Sequence, residues 1–168
     1  MKRPRIKISL KLADIILEAV CVVVFFIVCL YLILSWTDIP SIVATHFGVS
    51  GQADGFGSKS AVLFLLPFIL ILYAGLSVLQ KFPHIYNYAV EITEENAEIQ
   101  YAYAVRMIRV LKLIMVAGFS FIEFQIIRSA ITGENSLGIL FLPIFLVSLF
   151  STLGFYIWKS LKINKNIK

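Results

Sequence analysis

Four long apolar runs leave this chain little freedom. Residues 13–35, 61–80, 108–127 and 137–158 are nearly unbroken stretches of Leu, Ile, Val, Phe and Ala. Each is close to the ~20 residues that an α-helix needs to cross ~30 Å of hydrocarbon. Inside a bilayer the backbone must satisfy its own hydrogen bonds, so such runs fold as helices. The chain of 168 residues is 60% hydrophobic, against ~45–50% for soluble domains. The four runs use most of its length, and no separate soluble domain is expected. The first run follows MKRPRIK, as a secretory signal would. It exceeds the ~7–15 residues of a signal core and no small-x-small cleavage site follows, so it is expected to be an uncleaved span. Cys21 and Cys29 fall in that run, about 12 Å apart along a helix, too far for a mutual disulfide.

The basic residues give the orientation. Lys2, Arg3, Arg5, Lys7 and Lys11 precede the first span; Lys81, Arg106, Arg109 and Lys112 lie before or just inside the third; Lys159, Lys162, Lys165 and Lys168 follow the fourth. Only Lys59 and Arg128 fall on the other side, thirteen against two. The positive-inside rule then places both termini in the cytoplasm. Residues 1–12 and 159–168 become basic cytoplasmic tails, 81–107 a cytoplasmic segment and 36–60 an outer loop. The net charge of +5 serves orientation and anionic lipid, so the bilayer is a partner and nucleic acid is not. Thr93 with Glu94 and Glu95 makes a helix start. No breaker follows before Ile127, so a helix of about 34 residues is expected, about 50 Å long. Arg106, Arg109 and Lys112 recur at spacing three and are expected to snorkel to the inner headgroups. FLLPFIL and FLPIFLV place Pro67 and Pro143 at similar depths, which predicts kinks in spans two and four. Ser148, Ser151 and Gly154, with Gly118 and Ala74-Gly75, are read as helix contacts.

The loop WTDIPSIVATHFGVSGQADGFGSK is too elaborate for a connector. Two readings of Asp38, His46 and Asp54 stand side by side. A histidine with two carboxylates has the chemistry of a metal or acid–base site, with His46 and Asp54 as its ligands. The spacing matches no standard metal motif, and Asp38 before Pro40, Asp54 before Gly55 and an internally bonded His46 also make ordinary turns. Gly48, Gly51, Gly55 and Gly57 predict a compact Ω-type loop. Glu123 lies toward the outer third of span three. A carboxylate there must face the bundle or a polar cavity, and two readings stand: an ion pair with Lys59 or His46, or a ligand or proton site below the loop. Asp14 and Glu18 near the inner boundary point to an ion pair with Lys112. No phosphate-binding, nucleophile-elbow or metalloprotease motif is present, and no cofactor is expected.

The loop, with Pro40, His46, Gly51, Asp54, Gly55, Ser58 and Lys59 as the matching positions, resembles a bacterial membrane domain of unknown function. That domain occurs alone and at the N-terminus of SdpI-type immunity proteins. FPHIYNYAVEITEENAEIQY is similar to a segment of the stand-alone members. The resemblance extends from about Trp36 to the third span. It implies no catalytic role for these residues. In the immunity proteins, which resist a secreted killing peptide and can sequester a repressor, a second set of spans follows the domain, and this sequence has none.

The expectation is an all-α integral membrane protein, a four-transmembrane-helix bundle with a structured extracytoplasmic loop. Its leading function is binding or regulation, immunity-like. The loop, through Asp38, Pro40, His46, Gly51, Asp54, Gly55, Ser58, Lys59 and the underlying Glu123, would recognise a peptide, lipid or protein outside. The inner segment would meet a cytoplasmic regulator, and a homo-oligomer is allowed. The alternative is a membrane-embedded enzyme acting on an envelope or lipid substrate through His46 and Asp54. A third is an ion-coupled carrier using Glu123.

Overall fold

A computed structural model describes residues 3–134 and 136–167. The terminal Lys2 and Lys168 of the orientation argument lie outside the described residues. Four helices dominate: α1 (Leu12–Ser35), α2 (Val62–Leu79), α3 (Ala97–Thr132) and α4 (Phe141–Ile167). All four are long and apolar enough to cross a membrane, the architecture of a multi-pass membrane protein. Their surfaces agree. Phe26, Ile33, Phe64, Ile71, Val147 and Phe150 all stand exposed, which a soluble protein would avoid on this scale.

The helix α3 is the hub. It packs against α1, α2 and α4, and no comparable contact joins α4 to α1 or α2 among the described residues. Two apolar clusters hold the bundle. One joins Leu32, Ile39, Val43, Val62, Ile126 and Ile127 beneath the loop, and the other joins Cys21, Ile69 and Val116. Close contact with α4 depends on Gly118, where a Cβ would lie 2.4 Å from Phe145.

The loop between α1 and α2 is a β-hairpin rather than an Ω-loop. Strand β1 (Ile42–Phe47) pairs antiparallel with β2 (Ala53–Ser58). The β-branched run Ile42, Val43 and Thr45 suits a pleated, half-buried surface, and Val43 and Ala44 bury against α3. The glycines of β2 serve strand pairing. A Cβ at Gly55 or Gly57 would stand 2.9 Å from the His46 or Thr45 side chain across the ladder.

Helix α3 has 36 residues, close to the expected length. Its start is organised by Thr93 and Asn96, whose side chains each accept the other's backbone N–H, the reciprocal logic of a capping box. Gly133 at φ 80° closes its far end, donating N–H to Ser129 O, as left-handed C-caps do. The segment between α2 and α3 is ordered across the end of the bundle where both termini lie. Arg3 donates to the Tyr86 carbonyl and Tyr101 to that of Pro4. Tyr86 and Tyr88 donate to the carbonyls of Leu79 and Pro83. Burial pushes the Tyr86 hydroxyl up to about 12, and that of Tyr88 up as well, so both remain donors.

Two helix features depart from expectation. The residues after 158 are a continuation of α4, not a separate tail. Pro143 sits in the first turn of α4, where its missing N–H breaks no bond, whereas Pro67 lies inside α2. The two prolines are not at equivalent positions.

Candidate functional site

At the hairpin end, both strands are bulged. Paired positions skip Thr45 on β1 and Asp54 on β2. A bulge re-aims side chains, and here it swings the Asp54 carboxylate onto His46, with His46 Nδ1 hydrogen-bonded to Asp54 Oδ1. Gly48 leaves the space: a Cβ there would stand 3.1 Å from Asp54 Oδ2. The pair is open to solvent, with side chains 72% and 56% exposed. Phe56, Ile42 and Val49 are exposed on the same hairpin. The result is an exposed polar pair on a hairpin that also exposes apolar side chains.

The hairpin is anchored at two points. Gly51 at φ 78° packs so closely on the α3–α4 loop that a Cβ would be 2.7 Å from Gly138 O. There Leu137 N–H donates to Gly51 O at 2.7 Å and Gln52 Nε2 to Ser136 Oγ at 3.2 Å. At the other anchor Lys59 donates to the Trp36 carbonyl, its ammonium 4.4 Å from the Trp36 ring centroid.

The nine predicted site residues therefore separate. His46 and Asp54 come together. Asp38 does not join them; it is held in the turn after α1, its N–H donating to Ser35 O. No group of three His, Cys, Asp or Glu side chains is assembled among the described residues. Pro40 leads into β1. Gly51, Gly55 and Lys59 build and anchor the hairpin, and Ser58 bonds Ser60 at 2.7 Å. Glu123 is fully buried, and neither Lys59 nor His46 reaches it. Both its carboxylate oxygens lack a hydrogen-bond partner, and so does Ser120 Oγ one turn away. The expected partners are held elsewhere: Lys59 at Trp36 and His46 at Asp54.

The opposite end carries a polar cluster that the sequence showed only in part. Arg109 and Lys112 turn into the bundle rather than snorkelling, 5% and 0% exposed. Lys112 Nζ donates to both Glu18 oxygens at 2.6 and 2.7 Å and to Ser77 Oγ at 2.8 Å. That uses all three of its donors. Tyr73 donates to Glu18 at 3.1 Å. Asp14 accepts from Lys11 N–H and Arg106 and forms an ion pair with Arg109, and Arg109 donates to Gln80 Oε1. The Glu18–Lys112 pair is as expected from sequence. Tyr73, Ser77 and Gln80 were missed. The available signal was a tyrosine and a serine four residues apart in an otherwise apolar span, hence on one face. Beside this cluster Lys7, Lys11, Asp14, Glu95, Glu98, Arg106 and Arg109 line a cleft of about 560 Å³.

A family model described as a domain of unknown function, DUF1648, matches residues 23–71. Those residues cover much of α1, the whole hairpin and the first half of α2, so they include the His46–Asp54 pair and Lys59 but neither Glu123 nor Lys112. The chain is also similar to an uncharacterized protein of Archaeoglobus fulgidus, 28% identical over 133 residues, covering 71% of this chain and 73% of the relative. A similar chain thus exists in an archaeon, beyond the bacteria of the sequence-based expectation. No solved structure matches.

Proposed function

We propose that this protein is a membrane-anchored recognition protein whose hairpin binds a peptide, lipid or protein at the outer face of the membrane. The observation that carries this is the exposed His46–Asp54 pair, set by paired bulges on a hairpin that is fixed at both ends. A hydrogen-bonded, solvent-facing pair on a rigid element is preorganised for a partner. Exposed Phe56, Ile42 and Val49 supply the apolar contact that such a surface needs. The outward orientation rests on the excess of Lys and Arg at the end holding both termini. An immunity-like role, in which the hairpin meets a secreted peptide, follows from the resemblance of the hairpin segment to the domain that opens SdpI-type proteins.

The test is thermal stability of the purified protein in mild detergent with secreted envelope-active peptides and with lipids, wild type beside His46→Ala and Asp54→Ala. A ligand that raises the melting temperature of wild type alone supports recognition by the hairpin. If every ligand acts equally on the variants, and both variants restore a deletion strain fully, the proposal fails.

A further inference from the structure

Glu123 and Ser120 are one helical turn apart on α3, and together they present three oxygen atoms with no protein partner. Both residues are buried, at 0% and 4% exposure. They lie on one side of the helix, since residues three apart are neighbours on a helix surface. Among the described residues no basic side chain forms a salt bridge with Glu123. A buried carboxyl and a buried hydroxyl without partners are both costly, so their persistence at neighbouring positions calls for a ligand that satisfies both.

A groove reaches Ser120, one helical turn from Glu123. That groove, of about 300 Å³ between α1 and α3, has walls that include Val24, Ile27, Val28, Tyr31, Phe121 and Phe124. Ile27 and Phe121 are exposed on the bundle perimeter, so the groove opens sideways, where a membrane protein meets hydrocarbon. The ligand must therefore carry an apolar tail for the groove and a head for three oxygen acceptors. A primary ammonium has three N–H donors and a positive charge, which matches the carboxylate in sign and the oxygen set in number.

We propose that Glu123 and Ser120 form a binding site for the ammonium head of a single-chain cationic amphiphile, entering from the bilayer through the α1–α3 groove. This site is separate from the hairpin surface and does not depend on its function.

The experiment measures binding of dodecylamine to the full chain in a maltoside detergent, by thermal shift and native mass spectrometry. Dodecanol and ammonium chloride are the controls for tail and head alone. Dodecylamine is expected to stabilise wild type and to bind at least about tenfold more weakly to Glu123→Gln, roughly what the loss of one charge-assisted hydrogen bond produces. Ser120→Ala is expected to weaken binding several-fold, and His46→Ala to leave it unchanged. Equal binding by wild type and Glu123→Gln overturns the proposal, and so does equal stabilisation by dodecanol or by ammonium chloride. Should Glu123→Gln fail to fold, Ser120→Ala decides: weakened binding at unchanged intrinsic stability supports the site, and unchanged binding overturns it.

Discussion

Helix α3 buries two sets of polar side chains in opposite ways. Toward the termini, Arg109 and Lys112 are almost fully buried and richly bonded, to Asp14, Glu18, Ser77 and Gln80. Toward the hairpin, on the same helix, Ser120 and Glu123 are equally buried and bonded to nothing. Lys112 and Glu123 are separated by only about 16 Å of helix rise. Burial therefore does not by itself distinguish structure from function here; saturation does. A charge whose donors are all used joins α1, α2 and α3 into one unit. An acid whose oxygens are all free adds nothing to the fold that leucine would not.

The largest expected effect tests the saturated set. Lys112→Met removes three hydrogen bonds and leaves Glu18 without its close counter-charge. Removing one partner of a buried pair typically costs about 3–5 kcal/mol, and Glu18, 27% exposed, should keep the loss toward the lower end. The double variant Lys112→Met with Glu18→Leu should recover most of it, because apolar replacement of a whole buried pair is often neutral. Chemical denaturation in detergent measures both. A mild single variant would mean that Lys112 does not clamp the bundle, and the contrast between the sets would vanish.

Glu123→Leu tests the unsaturated set, with the opposite sign. Deleting an unpartnered buried carboxyl should stabilise the protein by about 1–3 kcal/mol, the usual penalty for such a group. A higher midpoint in the same denaturation experiment is the expected outcome. A lower midpoint would show that Glu123 already has a partner supporting the fold, and Ser120 would then need re-examination by the same substitution logic.

Gly51→Ala comes next and concerns how the hairpin is held. Its positive φ and the approach to Gly138 O leave no place for a methyl group. A loss of about 1–2 kcal/mol is expected from strain of this kind. It should fall on the hairpin first, read as faster proteolysis between β1 and β2 before the helices open.

Much of this was legible in the sequence, for one physical reason: the bilayer imposes length and apolarity on every span, so the four helices could be read from runs alone. The unusual length of α3 followed from the lack of a breaker between Glu94 and Ile127. What failed was decided by direction rather than by composition. Arg109 and Lys112 have the spacing to snorkel, but Asp14 and Glu18 on α1 offer stronger partners inside. The hairpin was hidden because four glycines dominate its composition, while its strand signal is the short β-branched run from Ile42 to Thr45. The Gly55 and Gly57 positions are explained only by side chains across the ladder, which no single strand reveals. His46 and Asp54 stood out together by residue type, yet it is the bulges that bring them into contact. Ser120 gave no signal at all, since a lone serine in an apolar helix normally bonds its own backbone.

The smallest effect on stability belongs to His46→Ala, and it sharpens the comparison most. The pair is exposed on both sides, and exposed pairs contribute little. The variant should fold within about 0.5 kcal/mol of wild type, with the hairpin still fixed by Gly51 and Lys59. Its deficit should appear only in partner binding and be shared by Asp54→Ala. Asp54→Asn, which keeps an oxygen acceptor for His46, should lose less. That ordering separates a recognition pair from a structural one. A structural role would lower stability in proportion to the contacts removed, whereas a recognition role lowers affinity at constant stability. If His46→Ala instead melted the hairpin as Gly51→Ala does, the pair would belong with the anchors, and the exposed apolar residues Phe56, Ile42 and Val49 would remain as the surface through which the hairpin meets its partner.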